Sequence, residues 1–236
     1  MAHRVVGRLA SLWRFPVKSM AAEALETCDV SWHGFSGDRR WAFIRPGIER
    51  SGFPWLTIRE NNSLWRYQPR FVDPEKPDAS ETRVTTPSGA DFDVVDPALA
   101  AELGPGVRVI KQDVGVFDTM PLSLISTQSV SAIGAASGAS LSVLRFRPNL
   151  VVDVASGEPF AEDEWVGSSL RIGELVMRVN KRDGRCVTVN VDPVSTHADP
   201  RVLKTIARDR DAKLGVYGAV VTRGSVSVGD EVALED

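Results

Sequence analysis

The sequence predicts a mainly β (α+β) protein with few short helices, on three observations. From Val5 onward, short apolar stretches are bounded by Gly, Pro, Asp and Asn, the rhythm of a β-rich chain with frequent turns. Residues 187–191 place Val187, Val189 and Val191 on one face of an extended chain, a period of two. Only two stretches open with a helix N-cap residue followed by apolar residues at helical spacing.

Taken in order, strands are expected over residues 5–12, 25–32, 40–45 and 83–86 in the first half of the chain. Between them, Asp73-Pro74-Glu75-Lys76-Pro77-Asp78-Ala79-Ser80 is polar and proline-rich and reads as an exposed loop. Gly104, Pro105 and Gly106 mark a further break, and a boundary near Asp113 divides the chain into segments 1–113 and 114–236. The first helix starts at Ser126 or Thr127, carries Val130 and Ile133 on one side, and gives way to a small-residue loop over 134–140. Strands over 150–154, 175–179 and 187–191 follow. A second helix opens on Asp199 as N-cap with Pro200 in its first turn, then Val202, Leu203 and Ile206.

Composition excludes several classes. A formal net charge of -3 over 236 residues provides no global positive field for nucleic acid or an anionic membrane, so an anion site must be local. The two cysteines, Cys28 and Cys186, lack the spacing of a zinc site or a disulfide framework, which suits a reducing compartment. No uncharged apolar run approaches the length of a membrane span and no signal-like apolar segment opens the chain, so a cytoplasmic setting is expected. His3, His33 and His197 have no metal-ligand spacing, and neither a Gly-x-Ser-x-Gly elbow, a P-loop nor a Rossmann glycine pattern occurs. Glu158, Glu162, Asp163 and Glu164 read as a solvated acidic turn, and the six tryptophans as packing.

Four windows can carry chemistry. In the stretch from Asn180 to Pro193, extended alternation sends Cys186, Thr188 and Asn190 to the face opposite the valines. Arg185, Arg182 and Lys181 would favour a thiolate, the form that binds metal, with Asp183 partly offsetting them. The same window equally describes a buried small hydrophobe at a strand start. In Arg145-Phe146-Arg147-Pro148-Asn149, an extended backbone, encouraged by Pro148, would bring two guanidiniums and an amide to one side. Arginine forks suit phosphate or carboxylate and an amide can read a heterocycle edge, although the window alone favours an exposed basic strand paired with acids. Phe15-Pro16-Val17-Lys18-Ser19-Met20 and Gly37-Asp38-Arg39-Arg40-Trp41 offer a lysine, a hydroxyl, an acid and two bases in turns, and each reads also as an ordinary turn.

Together these windows resemble the MOSC family, in the branch with an N-terminal β-barrel that includes the mitochondrial amidoxime-reducing components. The matching pieces stand in family order: Leu12-Trp-Arg-Phe-Pro-Val-Lys-Ser19, Gly37-Asp-Arg-Arg-Trp41, Pro121-Leu-Ser-Leu-Ile-Ser126, Arg145-Phe-Arg-Pro-Asn149, Phe160-Ala-Glu-Asp-Glu-Trp165, Arg185-Cys186 with Val191-Asp-Pro193, and Gly229-Asp-Glu-Val232. The resemblance implies a MOSC β-barrel domain over 114–236 preceded by a β-barrel-like domain over 1–113. It further implies a molybdenum cofactor whose metal is held, and whose catalysis is served, by Cys186, where a soft thiolate is apt. Lys18, Ser19 and Arg39 would hold the cofactor from the first half and Ser126, Arg147 and Asn149 from the second. Arg145, beside Arg147, and Thr188, on the face of Cys186, complete the expected cofactor-binding set.

The implied activity is reduction of N-hydroxylated or related N-oxygenated small molecules. Some family members instead handle the cofactor or its sulfur, which leaves open a carrier with a persulfide on Cys186. Asp38 and Asp192 are the candidate general acids. The lead-in Lys181-Arg182-Asp183-Gly184 departs from the Pro-Cys or similar apolar lead-in of many relatives, and so bears on the electrostatics of the metal site. The chain closes at Asp236 without a cysteine-rich extension, so electrons are expected from a separate protein of the ferredoxin, flavodoxin or reductase type.

Overall fold

The computed structural model describes residues 3–235; Met1, Ala2 and Asp236, the outermost residues of the two expected segments, lie outside them. The first half carries β1 (Arg4–Arg14), β2 (Glu23–Leu25), β3 (Thr27–Ser31), β4 (Gly34–Phe35), β5 (Trp41–Ile44), β6 (Gln68–Phe71), β7 (Thr82–Thr85) and β8 (Asp91–Asp93), then α1 (Pro97–Leu103) and β9 (Arg108–Lys111). The second carries β10 (Leu122–Ser126), α2 (Thr127–Ser137), β11 (Leu150–Val154), β12 (Ser169–Ile172), β13 (Leu175–Gly184), α3 (Arg201–Arg210), β14 (Lys213–Thr222), β15 (Gly224–Ser227) and β16 (Glu231–Glu235). As the sequence predicts, the fold is mainly β, with three short α-helices among the described residues.

Strands β11, β10, β14, β13, β12, β16 and β1 pair in that order, and β1 closes the ring by pairing with β11. Strand β1 can serve both neighbours because its apolar phase shifts. Gly7 and Leu9 face inward, then Leu12 and Arg14, with a register shift against β11 between Leu9 and Ser11. Gly7 is required where β1 crosses β11, since a Cβ there would stand 2.5 Å from Asp153 O. The barrel interior is a core of Leu9, Leu12, Leu124, Leu150, Val152, Leu170, Met177, Val179 and Val216, all buried.

Small sheets β6-β7-β8 and β5-β9, with α1, wrap a second core that contains Phe15, Val17, Met20, Phe43, Ile58, Leu64, Trp65 and Leu99. Helices α2 and α3 cover the barrel from outside through Ile125, Val130, Ile133, Val202 and Ile206. The segments on either side of residue 113 interleave in space: β1 is a stave of the barrel, and β15 pairs with β3. Among the described residues no helix is long and apolar enough to cross a membrane.

Several local expectations are corrected. Residues 187–191 are not a strand: the ladder ends where Arg185 N donates to Ala212 O, and Val187–Asn190 forms a 3-10 turn closed by Val189 N on Cys186 O at 3.2 Å. Arg145 holds that turn by donating to Asn190 O at 2.7 Å, and the Asn190 side chain accepts from Leu203 N of α3 at 2.9 Å. Val187 is therefore 54% exposed while Val189 and Val191 are buried. Residues 145–147 are not extended either. Val143–Phe146 is a 3-10 turn that Arg147 closes in the left-handed region, at φ 50°, against the preference imposed by Pro148.

Helix α2 runs through the expected loop as far as Ser137, because Gly134 allows Ala139 O to approach and Gly138 supplies a left-handed cap. Helix α1 was unexpected, yet Asp96 caps it through Ala98 N and Pro97 stands in its first turn, a signal readable in Asp96-Pro97. The Asp199 carboxylate accepts from Arg201 N at 3.0 Å, the capping role expected of it.

Candidate functional site

Where β1 leaves the barrel for the second core, the chain turns through Lys18 and Ser19 beside a cavity of about 390 Å³ lined by Ser123, Asp183 and Tyr217 of the barrel strands and by Ile58 of the second core. Its walls come from Lys18, Ser19 and Arg39 on one side, from Arg145, Arg147 and Asn149 on another, and from Asp183 near the end of β13 with Arg185, Cys186 and Thr188 beyond the β13–β14 ladder. Ser19, Arg39 and Arg147 all hold left-handed backbone, at φ 68°, 52° and 50°. Non-glycine residues there are strained, and three of them stand in the cavity wall.

Six cations line the cavity, Lys18, Arg39, Arg59, Arg145, Arg147 and Arg185, against two carboxylates, Asp118 and Asp183. In a chain of net charge -3 this is a local positive site. Lys18 Nζ donates to Val116 O at 3.0 Å and to Asp118; burial pulls its pKa down, and Asp118 only partly restores it. Arg147 lies over the rings of Phe15 and Trp65, at 4.1 and 4.7 Å, and donates through Nη1 to Met20 O at 2.8 Å. Burial, then the neighbouring Arg39, works against its charge. A guanidinium keeps its proton, so this pressure becomes a demand for an anion. Arg147 Nη2 and Arg185 Nη2 are buried nitrogens without a protein partner.

Cys186 is half-buried, and its sulfur takes a hydrogen bond from Arg59 Nη2 at 3.3 Å and lies 3.2 Å from Thr188 Oγ1. Burial raises the thiol pKa, but these contacts outweigh it and the net shift is downward, toward thiolate. The stabilising cation is thus Arg59, not the sequence neighbours. Arg185 turns away to Phe146 O, Leu214 O and Asp183, and Arg182 to Asp163 and the carbonyls of Arg210 and Lys213. Among the described residues no group of three or more His, Cys, Asp or Glu stands ready to hold a metal ion, so a metal on Cys186 needs further ligands from a cofactor.

The structure brings Cys186, Lys18, Ser19, Arg39, Arg145, Arg147, Asn149 and Thr188 to one cavity. Ser126 is not among them: fully buried, it caps α2 through Ser129 N and bonds to Glu162. Ser123, three residues earlier on β10 and so on the opposite face, lines the cavity in its place. Glu162 is a buried carboxylate bound by Ser126 and Ser129, not part of a solvated turn. The Asn149 amide is occupied, donating to Trp13 O and Asp38 and accepting from Ser123 N, so it clamps the walls and reads no ligand edge. Neither expected acid faces the cavity: Asp38 binds Phe15 N and Arg39, and Asp192 binds Arg145 and the Val194 and Ser195 amides.

Arg59, Asp118 and Tyr217 were missed. Each lies far from the cysteine in sequence and joins it only through the fold, without a local signal. Of the two carboxyls in the wall, Asp183 is the buried one, bonded by Ser123 Oγ and paired with Arg185 Nη1 at 2.9 Å. Burial pushes its pKa up to about 6, with Arg185 opposing.

The MOSC domain family matches residues 111–233 and the MOSC N-terminal beta barrel domain matches residues 6–95. A molybdenum cofactor sulfurase of Drosophila mojavensis is 27% identical over 92% of this chain and 32% of its own length. The mitochondrial amidoxime-reducing component 1 of Danio rerio is 35% identical over 51% of this chain and 38% of its own. The chain spans about a third of the length of such curated relatives. Among solved structures, the YUAD protein of Bacillus subtilis superposes with a TM-score of 0.56 at 13% identity, covering 98% of this chain and 96% of that one, a likeness of fold.

Proposed function

Because the chain belongs to the MOSC family, whose members include proteins of molybdenum-cofactor chemistry, we propose that its cavity holds a phosphate-bearing molybdopterin and that it reduces N-hydroxylated or related N-oxygenated small molecules. One observation carries the reading: the only cysteine of the cavity, biased toward thiolate, shares it with a surplus of cations. The fit to such a group is good. Arg147 Nη2 is a buried donor lacking the acceptor an anionic ligand brings, and thiolate is a soft ligand suited to the metal. When bound, the cofactor supplies two-electron chemistry between Mo(IV) and Mo(VI).

The chain's own residues bind and orient. Lys18, Ser19 and Arg39 would hold the phosphate from one wall and Arg147 from the other, while Cys186 takes the metal. Arg145 and Asn149 serve as posts, fixing the 190–192 turn and the exit of β1. Conversion of an N–OH to N–H and water takes two electrons and two protons. The electrons are proposed to come from a separate protein of the ferredoxin, flavodoxin or reductase type, in a cytoplasmic setting.

The alignment with sulfurases over nearly the whole chain favours a second reading, in which Cys186 carries persulfide sulfur or the cavity cradles cofactor for delivery. Molybdenum per chain, measured by elemental mass spectrometry on protein from a cofactor-competent host, separates the two. The reductase reading expects near-stoichiometric metal that falls in Cys186→Ala, and N-hydroxy reduction that is lost in Cys186→Ser. Sulfane sulfur on Cys186 without metal would transfer the assignment to sulfur handling.

A further inference from the structure

Arg59 is more exposed than Lys18, Arg39, Arg145 and Arg185 of the same cavity. The side chains of Lys18, Arg145 and Arg185 are 6–7% exposed and that of Arg39 12%, whereas that of Arg59 is 34% exposed. It follows the buried Ile58 in a turn fixed by the Glu60 carboxylate, which accepts from Thr57 N at 2.9 Å and Thr57 Oγ1 at 2.6 Å. From there it reaches Cys186 Sγ, and its guanidinium lies 5.1 Å from the centre of the Phe53 ring, another cavity residue. Its carboxylate neighbour, Asp118, is 3.7 Å away and is the close partner of Lys18. A metal on Cys186 would draw the sulfur's charge into coordination and leave this guanidinium, on the open side of the site, with the distant Asp118 and with Glu60, whose carboxylate is already engaged by Arg45 and Thr57.

We propose that Arg59 determines specificity by binding the carboxylate of the substrate, so that the preferred compounds carry a carboxylate close to the N–O group, as in an N-hydroxy-α-amino acid. The short reach from Arg59 to the sulfur sets the spacing: a carboxylate one carbon from the N-hydroxyl reaches the guanidinium while the N–O group stands at the metal, and a remote one does not. A guanidinium fork suits a carboxylate bidentately, and partial exposure lets the anion arrive from solvent. This inference rests on the reductase reading for its choice of compounds, not for the binding itself.

The test compares N-hydroxyglycine with N-hydroxyglycinamide on metal-loaded protein, wild type, Arg59→Gln and Arg59→Lys. In parallel, equilibrium binding of the unreactive pair glycolate and glycolamide is followed by ligand-observed NMR without electron donor. Wild type is expected to favour the acid about tenfold in kcat/KM, through KM, and Arg59→Gln to abolish that ratio whatever its absolute rate. Arg59→Lys should recover part of it. Glycolate binding should weaken by a similar factor in Arg59→Gln while glycolamide binding holds. Equal use of acid and amide by wild type, or a ratio unchanged in Arg59→Gln, overturns the assignment and leaves the reductase reading intact. Glycolate binding that depends on Arg59 in a loaded protein that reduces neither compound would overturn the reductase reading and sustain the carboxylate site.

Discussion

Asp183 is the residue at which burial and chemistry conflict most directly. Its carboxyl sits in the cavity wall with a pKa raised by burial to about 6, against roughly 4 in an unfolded chain. A folded-state pKa above the unfolded one means that the stability linked to the proton is complete below about pH 4 and is lost as pH rises through about 6. Asp183→Asn in the metal-free chain should therefore gain on wild type by about 2–3 kcal/mol between pH 4 and pH 7, as read by urea denaturation at a series of pH values. A difference that stays flat across that range would show that the carboxyl does not titrate there. The cations around it belong to the same balance. Arg147 and Arg39 keep left-handed backbone that costs roughly 1–2 kcal/mol each, and both line the cavity.

At the scale of elements, the α2 N-terminus and the turn 161–165 are joined by a buried network rather than by the cavity. Ser126 caps the helix, and its hydroxyl and that of Ser129 donate to Glu162. Ser126→Ala removes the cap, worth about 1 kcal/mol, and strips a buried carboxylate of a donor, worth a further ~1–3 kcal/mol. A fall in melting temperature with molybdenum content unchanged is the expected outcome; loss of metal at intact stability would return Ser126 to the cofactor cradle. The 187–190 turn makes a related point. Its valines alternate as a strand should, but Arg145 and the Asn190 cap of α3 draw the chain into a 3-10 turn, which leaves the Cys186 sulfur beside Arg59. Alternation described the burial of Val189 and Val191 and not the backbone that produces it.

At the scale of the molecule, the barrel is closed by a strand from the far end of the chain. Register pairs such as Gly7 with Val154, Arg4 with Leu234 and Arg8 with Glu231 join β1 to β11 and β16. A fragment of residues 114–236 would expose the edges of both strands and part of the barrel core, a template for aggregation. It is expected to be insoluble or molten by circular dichroism and gel filtration, and residues 3–20 joined after Glu235 through a flexible linker should restore a cooperative transition. Cooperative folding of the fragment alone would contradict the pairing. The same closure brings Lys18 and Ser19 to Cys186, so the site and the barrel stand or fall together.

The windows Pro-Val-Lys-Ser, Gly-Asp-Arg, Arg-Phe-Arg-Pro-Asn and Arg-Cys by themselves determined the family resemblance and a minority of the residues that line the cavity, and the rhythm of short apolar stretches determined the mainly β class, because these depend on residue type and local period. Tertiary structure alone decided what each residue does there. Asn149 and Arg145 became posts, Ser126 went to a helix cap, Asp183 became the buried carboxyl of the wall, and Arg59, 127 positions from Cys186, became its hydrogen-bond donor. The physical reason is that a side chain's charge, burial and hydrogen-bond partners are set by neighbours in space, and in a barrel closed by its first strand those neighbours come from distant parts of the chain.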